Sequence, residues 1–308
     1  MRVAVLGAGA VGGYYGAMLA RGGHDVALVA RGAHLDAIRA EGLRVVGPGG
    51  EFTVRPAAVD DPAAIGPVDL TLFAVKTYDN PSALPLLAPL TGPASVVLTL
   101  QNGVESPGDA ASVVGADRVL GGAAYIATAL TAPGVIEQTG THHRVVLGEV
   151  FGALGARSVR AERIRDEFAR AGVEAESVAD ARVPLWEKYI YLAPFAGLTG
   201  AARSAIGPLW RRPETQDVLM RACGEVERVA RAEGIGVAAG IGERIRQYVD
   251  ALPPSTRSSL LIDLQQGKRI EVEALLGALV RRARRLGLDT PVMETFYAVL
   301  REHAGGRT

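Results

Sequence analysis

Short apolar runs alternate with stretches of helical periodicity through the first half of the chain, and that pattern predicts its first elements. Residues 2–6 (Arg-Val-Ala-Val-Leu) are apolar after the first position and end in glycine. A strand covered on both faces reads this way because neither face needs polar residues, so the run predicts a buried parallel strand. Helical spacing follows from Gly12 to Arg21, is stopped by Gly22-Gly23, and gives way to a second predicted strand from Asp25 to Ala30. Further strand-like runs lie at 69–75 and 95–100, each ahead of a loop, with another at 118–120. Strands alternating with helices imply a doubly wound parallel sheet.

The pattern changes twice after that. From Ala123 to Gly148 it is β-rich and broken by Pro133-Gly134 and Gly140, which predicts antiparallel strands added to the sheet. A helix carrying Ile164, Phe168 and Ala171 then leads to a last strand at 173–178. Beyond Asp180 strand signals stop, and helical runs follow near 181–199, 213–234, 240–251, 256–266, 270–287 and 290–303, separated by breaks such as Pro253-Pro254. The expected fold class is therefore α/β, with a doubly wound sheet domain over residues 1–179 and an all-helical domain over 180–308.

Composition narrows the function classes. An apolar content of 48% in 308 residues is enough for two well-developed cores. Lysine plus arginine and aspartate plus glutamate number 33 each, so no charge excess draws the chain to nucleic acid or an anionic membrane, and small molecules are the expected partners. Residues 1–20 superficially resemble a signal peptide, but glycines at 7, 9, 12, 13 and 16 interrupt any apolar core of that type. A soluble cytoplasmic protein is expected, with a homodimer left open. The single Cys223 lies in a helix-like run and reads as a small core residue. The five histidines form no constellation, so no metal is expected. The arginines at 281, 282, 284 and 285 read as a solvated helix face.

Candidate chemistry begins at the first turn. Gly7-Ala8-Gly9-Ala10-Val11-Gly12 matches G-x-G-x-x-G between a predicted strand and helix, the context of a Rossmann-type dinucleotide site. The first glycine permits the tight turn, the second lets backbone approach a pyrophosphate, and the third lets helix pack on strand. The helix N-terminus then offers N–H groups to the anion, with Ala10 and Val11 in its opening turn. An NAD-selective site would end the second strand with an acid to hold the ribose 2′-OH. Here the residue is Arg31, whose guanidinium suits a 2′-phosphate, so NADP(H) is the expected cofactor.

Lysine is scarce: the only ones are Lys76, Lys188 and Lys268, among 33 cations. Lysine can give up a proton where arginine cannot, so each retained lysine is a general-acid candidate. Lys76 and Asn102 end two successive strand-loop units, on the sheet edge where an open α/β fold places its ligand crevice.

Four segments carry a family resemblance. Ala74-Val75-Lys76, Leu100-Gln101-Asn102-Gly103, Leu185-Trp186-Glu187-Lys188 and Ser258-Ser259-Leu260-Leu261-Ile262-Asp263, followed by Glu271, resemble in order the motifs of the ketopantoate reductases. The resemblance covers nearly the whole chain. It implies hydride transfer from NADPH to the keto carbon of a 2-oxo acid, giving a 2-hydroxy acid, in a cleft between the two domains. It implies Lys188 as general acid, Glu271 as the carboxylate that holds a substrate hydroxyl and tunes the lysine, and Ser259 as donor to the substrate carboxylate with Asp263 in support. Glu273, two residues beyond Glu271, should point elsewhere on a helix. By the same resemblance Lys76 and Asn102 sit against cofactor and substrate.

One departure bears on the substrate. The family carries asparagines one and two helical turns after the lysine, where this chain has Leu192 and Ala196. Neither side chain can hydrogen-bond, and the only asparagines anywhere are Asn80 and Asn102. The expected substrate is ketopantoate or a less polar relative. Two other readings stay open: a related two-domain dehydrogenase acting on another hydroxy acid or a polyol, and a non-catalytic NADP(H)-binding regulator. Retention of Lys188 and Glu271 speaks against the regulator, which needs neither.

Overall fold

The computed structural model describes residues 1–307, and the chain forms two compact units. One comprises Met1–Gln101 and Ser106–Arg182; the other comprises Asn102–Glu105 together with the chain from Val183 onward.

The first unit is built on a ten-stranded sheet. Its strands are β1 Arg2–Leu6, β2 Asp25–Val29, β3 Leu43–Gly47, β4 Gly50–Val54 and β5 Ala57–Val59. They continue with β6 Leu70–Phe73, β7 Val96–Thr99, β8 Val119–Ala132, β9 Val135–Gly148 and β10 Ala175–Val178. The order is β4-β3-β9-β8-β7-β6-β1-β2-β5, with β10 also beside β9. From β8 to β5 every neighbouring pair is parallel. Alternate residues of β1 enter different cores: Val3 and Val5 pack with Tyr15 and Leu19 of the helix Ala10–Arg21, and Ala4 and Leu6 pack with Phe73, Leu87 and Leu90. Period-two alternation between two covered faces is why the strand carries no polar residue after Arg2.

Strands β8 and β9 form the antiparallel addition, but Gly140 does not interrupt it. Thr128 faces Gln138 whereas Ile126 faces His143, so residues 139–142 bulge out while the strand continues. The far flank of β9 is shared, since β3 pairs with Val135–Glu137 and β10 with Val145–Gly148, both parallel.

The second unit is helical. Its longest helix, Arg182–Ala202, is buried all round from Ala193 to Gly200, which marks it as the central helix of the unit. Around it lie the helices Ile206–Trp210, Pro213–Ala232, Ile241–Asp250, Ser259–Gln265, Ala278–Leu286 and Pro291–Arg301. The buried Glu225 carboxylate accepts the Val292 and Met293 backbone N–H groups at 3.0 and 2.9 Å, so a buried charge is held by the opening turn of another helix. The helix expected over 270–287 begins instead with a π-helical turn, Glu273–Gly277, which hydrophobic periodicity cannot reveal.

The arginine cluster is not the uniformly solvated face its spacing predicts. Arg282 turns inward, its side chain 18% exposed, between Glu233 and Glu105 and over the Trp186 ring. Arg281, Arg284 and Arg285 stay more exposed, each beside a glutamate. Cys223 is buried in the core of this unit, and burial pushes its thiol up to about 12, unsuited to nucleophilic work near neutral pH. Among the described residues no helix is long and apolar enough to cross a membrane.

Candidate active site

The glycine-rich turn follows β1 directly. Gly7 sits at φ +102, and a Cβ there would lie 2.5 Å from the Val75 nitrogen. A Cβ on Gly12 would lie 2.2 Å from the Gly7 carbonyl oxygen. These two positions are closed to any side chain by the protein's own backbone. Gly9 is the opposite case, because a Cβ there would meet nothing within 4 Å. The open space over Gly9, beside the half-buried first-turn residues Ala10 and Val11, is what a pyrophosphate approaching backbone N–H groups requires. The residues therefore fit a dinucleotide.

Arg31 directly follows Ala30, at the cap position of the helix Gly32–Glu41, and is exposed. His34, one turn into that helix, does what the sequence did not reveal. Its Nδ1 accepts the Gly134 N–H at 2.9 Å, which leaves the proton on Nε2 to be donated to the Ala8 carbonyl at 2.7 Å. A neutral imidazole thus ties the glycine-rich turn to the turn between β8 and β9.

Lys76 is half-buried and caps the single turn Thr77–Asp79 beyond β6. Its loop is fixed by a second network with no obvious sequence signal. The buried Gln101 amide donates to the Val75 carbonyl and to Asn80 Oδ1, both at 2.7 Å, and Asn80 donates to Asp109 at 3.0 Å. Residues after β6 and β7 are locked together by these bonds.

In the helical unit three of the expected residues meet. Lys188 lies inside the helix Arg182–Ala202, and its Nζ donates to Asn102 Oδ1 at 3.0 Å. Glu271, 6% exposed, lies close enough for its charge to act on the lysine. Desolvation lowers the Lys188 pKa to about 8, and the Glu271 charge opposes that fall without reversing it. Some of the side chain remains accessible, but its ammonium end is enclosed. Glu273 is exposed and engaged with Arg281 and Tyr297, pointing elsewhere as expected. Glu187 also faces away, accepting from Ala238 and Arg244.

Asn102 reaches Lys188 because its four-residue segment belongs with the helical unit. Val104 packs on that unit's core and Glu105 pairs with Arg281 at 3.1 Å. Leu192 and Ala196 follow Lys188 by one and two turns on the same helix, so they share its face; Ala196 is fully buried. Ser259 opens the helix Ser259–Gln265 and is exposed. Its neighbour Ser258 is the buried one, capping that helix through the Leu261 N–H and bonding Thr199 at 2.8 Å. Asp263, one turn on, is half-buried.

A half-buried lysine of lowered pKa, bonded to an amide oxygen and close to a buried carboxylate, can deliver a proton near neutral pH. Comparison with known proteins gives the family. Residues 3–152 match the family model described as Ketopantoate reductase PanE/ApbA, and residues 180–304 match the one described as Ketopantoate reductase PanE/ApbA C terminal. A 2-dehydropantoate 2-reductase of Halobacterium salinarum is 37% identical over 303 residues, covering 98% of both chains. The crystal structure of a PanE/ApbA family ketopantoate reductase from Ralstonia eutropha superposes with a TM-score of 0.90 at 34% identity, covering 99% of this chain and 98% of that one. The 2-dehydropantoate 2-reductase from Geobacter metallireducens gives 0.92 at 31% identity, covering 98% and 99%.

Proposed function

Since the chain belongs to the ketopantoate reductase family, we propose that it uses NADPH to reduce a 2-oxo acid less polar than ketopantoate, with Lys188 as the proton donor. It is an oxidoreductase acting on CH–OH groups, nicotinamide-dependent, and the reduction of a 2-oxo acid is the activity of its family. When bound, the nicotinamide supplies the hydride. The chain's own residues do the rest.

The glycine-rich turn would hold the pyrophosphate in the space over Gly9, and Arg31 would hold the 2′-phosphate through paired, charge-assisted hydrogen bonds. Lys188 donates its proton to the oxygen that becomes alkoxide, and its positive charge stabilises that oxygen beforehand. Asn102 fixes the ammonium in place, and Glu271 keeps enough of it protonated at neutral pH. Ser259 is assigned as donor to the substrate carboxylate, with Asp263 in support.

The observation that carries the reading is Lys188, enclosed, with its pKa lowered to about 8 and Asn102 and Glu271 beside it. The substrate class rests on Leu192 and Ala196. A site built to pair a hydroxyl rejects analogues that lack it, whereas an apolar lining leaves that hydroxyl unpaired, at a cost of about 1–3 kcal/mol. The test is NADPH oxidation against a panel of 2-oxo acids. Higher kcat/KM for plain alkyl or aromatic 2-oxo acids than for ketopantoate is expected. Clear superiority of ketopantoate overturns the substrate class, and no oxidation with any panel member overturns the reading as a whole.

A further inference from the structure

Tyr189, next to Lys188, is 1% exposed, and the reaction as described gives it nothing to do. Its hydroxyl donates to the Leu275 carbonyl at 2.8 Å and lies 3.4 Å from the Ala274 carbonyl. Burial raises the pKa of this hydroxyl, and the nearby Leu279 backbone offsets a small part of that rise. In an uninterrupted α-helix the Leu279 N–H would bond the Leu275 carbonyl directly. The tyrosine hydroxyl takes that Leu275 carbonyl as its acceptor. A side chain inserted into the helical ladder is a recognised cause of departure from α-geometry. The departure is present at that place: Glu273–Gly277 is π-helical, and the Ala278 N–H reaches back to the Glu273 carbonyl.

A π-turn accommodates one more residue than an α-turn, so everything ahead of it is rotated by about 100° relative to the helix that follows. The following helix is anchored by the buried Leu279, Val280 and Ala283. Ahead of the turn stands Glu271, buried and acting on Lys188, and Leu275 N–H bonds its carbonyl at 3.0 Å. The turn also meets the Asn102 segment, because a Cβ on Gly103, at φ +95, would lie 3.1 Å from the Ala274 carbonyl. The charged groups that act on Tyr189 are Glu105, Arg281 and Arg282, and Glu105 stands beside both arginines.

We propose that Tyr189 is a positioning residue whose wedged hydroxyl maintains the π-turn that points Glu271 at Lys188. The proposal rests on the reading of Lys188 as proton donor. Tyr189→Phe removes one oxygen and preserves the ring's volume, and the freed Leu275 carbonyl can accept the Leu279 N–H as in ordinary α-helix. Glu271 then swings from Lys188, and the lysine loses the charge that supports its protonated form.

The experiment measures kcat against pH for Tyr189→Phe, Glu271→Gln, the double variant and Lys188→Ala, with NADPH and the panel acid of highest kcat/KM. For Tyr189→Phe a fall of about tenfold in kcat is expected, with NADPH affinity unchanged. Its alkaline limb should move to lower pH by about half a unit or more. In the Glu271→Gln background the tyrosine change should shift the limb no further. A Tyr189→Phe profile that superposes on the unmutated one, while Lys188→Ala is inactive, overturns the positioning role alone. An equal limb shift with and without Glu271 also overturns it. Full turnover in Lys188→Ala removes the reading on which it rests.

Discussion

The glycine-rich turn works through backbone that side chains must leave clear, whereas the Lys188 site works through side chains whose properties burial has altered. At the turn the requirement is steric and set by backbone, with Gly12 blocked by the Gly7 carbonyl, Gly7 by the Val75 backbone beyond β6, and Gly9 facing open space. At Lys188 the requirement is electrostatic and assembled from afar, with partners 86 residues before it at Asn102 and well after it at Glu271. The difference teaches where each site should break. Backbone space fails all at once when filled, and electrostatic tuning fails by degrees.

The largest effect is expected from Lys188→Ala. The lysine acts on charge that develops only in the transition state, so turnover should fall by about 10² to 10⁴-fold while NADPH affinity hardly moves. Steady-state kinetics with a fluorescence titration of NADPH checks both. The next effect divides the glycines. Gly12→Ala forces a Cβ to within 2.2 Å of backbone oxygen and should cost stability as well as cofactor binding. Gly9→Ala meets no protein atom within 4 Å, so its melting temperature should stay unchanged while NADPH binding weakens about tenfold or more. A Gly9→Ala protein that binds NADPH normally would take the pyrophosphate away from this turn.

Arg31→Ala is expected to narrow the preference for NADPH over NADH by about ten- to a hundredfold through loss of paired phosphate contacts. Equal dissociation constants for the two cofactors in the unmutated protein would contradict that assignment. The smallest expected effect is on pH dependence. Burial has lowered the Lys188 pKa to about 8, so the protonated donor is full below that pH and turnover should decline above it. Glu271 raises the lysine's pKa, so Glu271→Gln should move the decline to lower pH.

The same contrast explains what the sequence disclosed. β1, β6 and β7 were legible because both faces of each are buried, leaving continuous apolar runs. β3, β4 and β5 carry exposed or half-exposed positions. β3 finds its partner in β9, some ninety positions later, and no local pattern encodes that pairing. Gly140 looked like a break because a bulge and a chain reversal share the same residue preferences. The G-x-G-x-x-G turn was recognisable from its six residues together with the strand before it and the helix after it, all adjacent in sequence. Scarcity of lysine made Lys188 a candidate and strand-loop position did so for Asn102, but the roles of Lys188, Asn102 and Glu271 came from resemblance, since nothing local distinguishes an enclosed lysine from an exposed one. His34, Gln101 and Tyr189 stayed hidden because each acts through one hydrogen-bonding atom aimed at a distant backbone group.

The fold turns Lys188 into an acid of near-neutral strength, and the chain's three lysines make this directly measurable. Lysine labelled with ¹³C at the ε-carbon gives three resonances, and the one absent from Lys188→Arg belongs to Lys188. A titration midpoint for that resonance near pH 8 is the predicted result. A midpoint near the ordinary lysine value of about 10.4 would contradict the account.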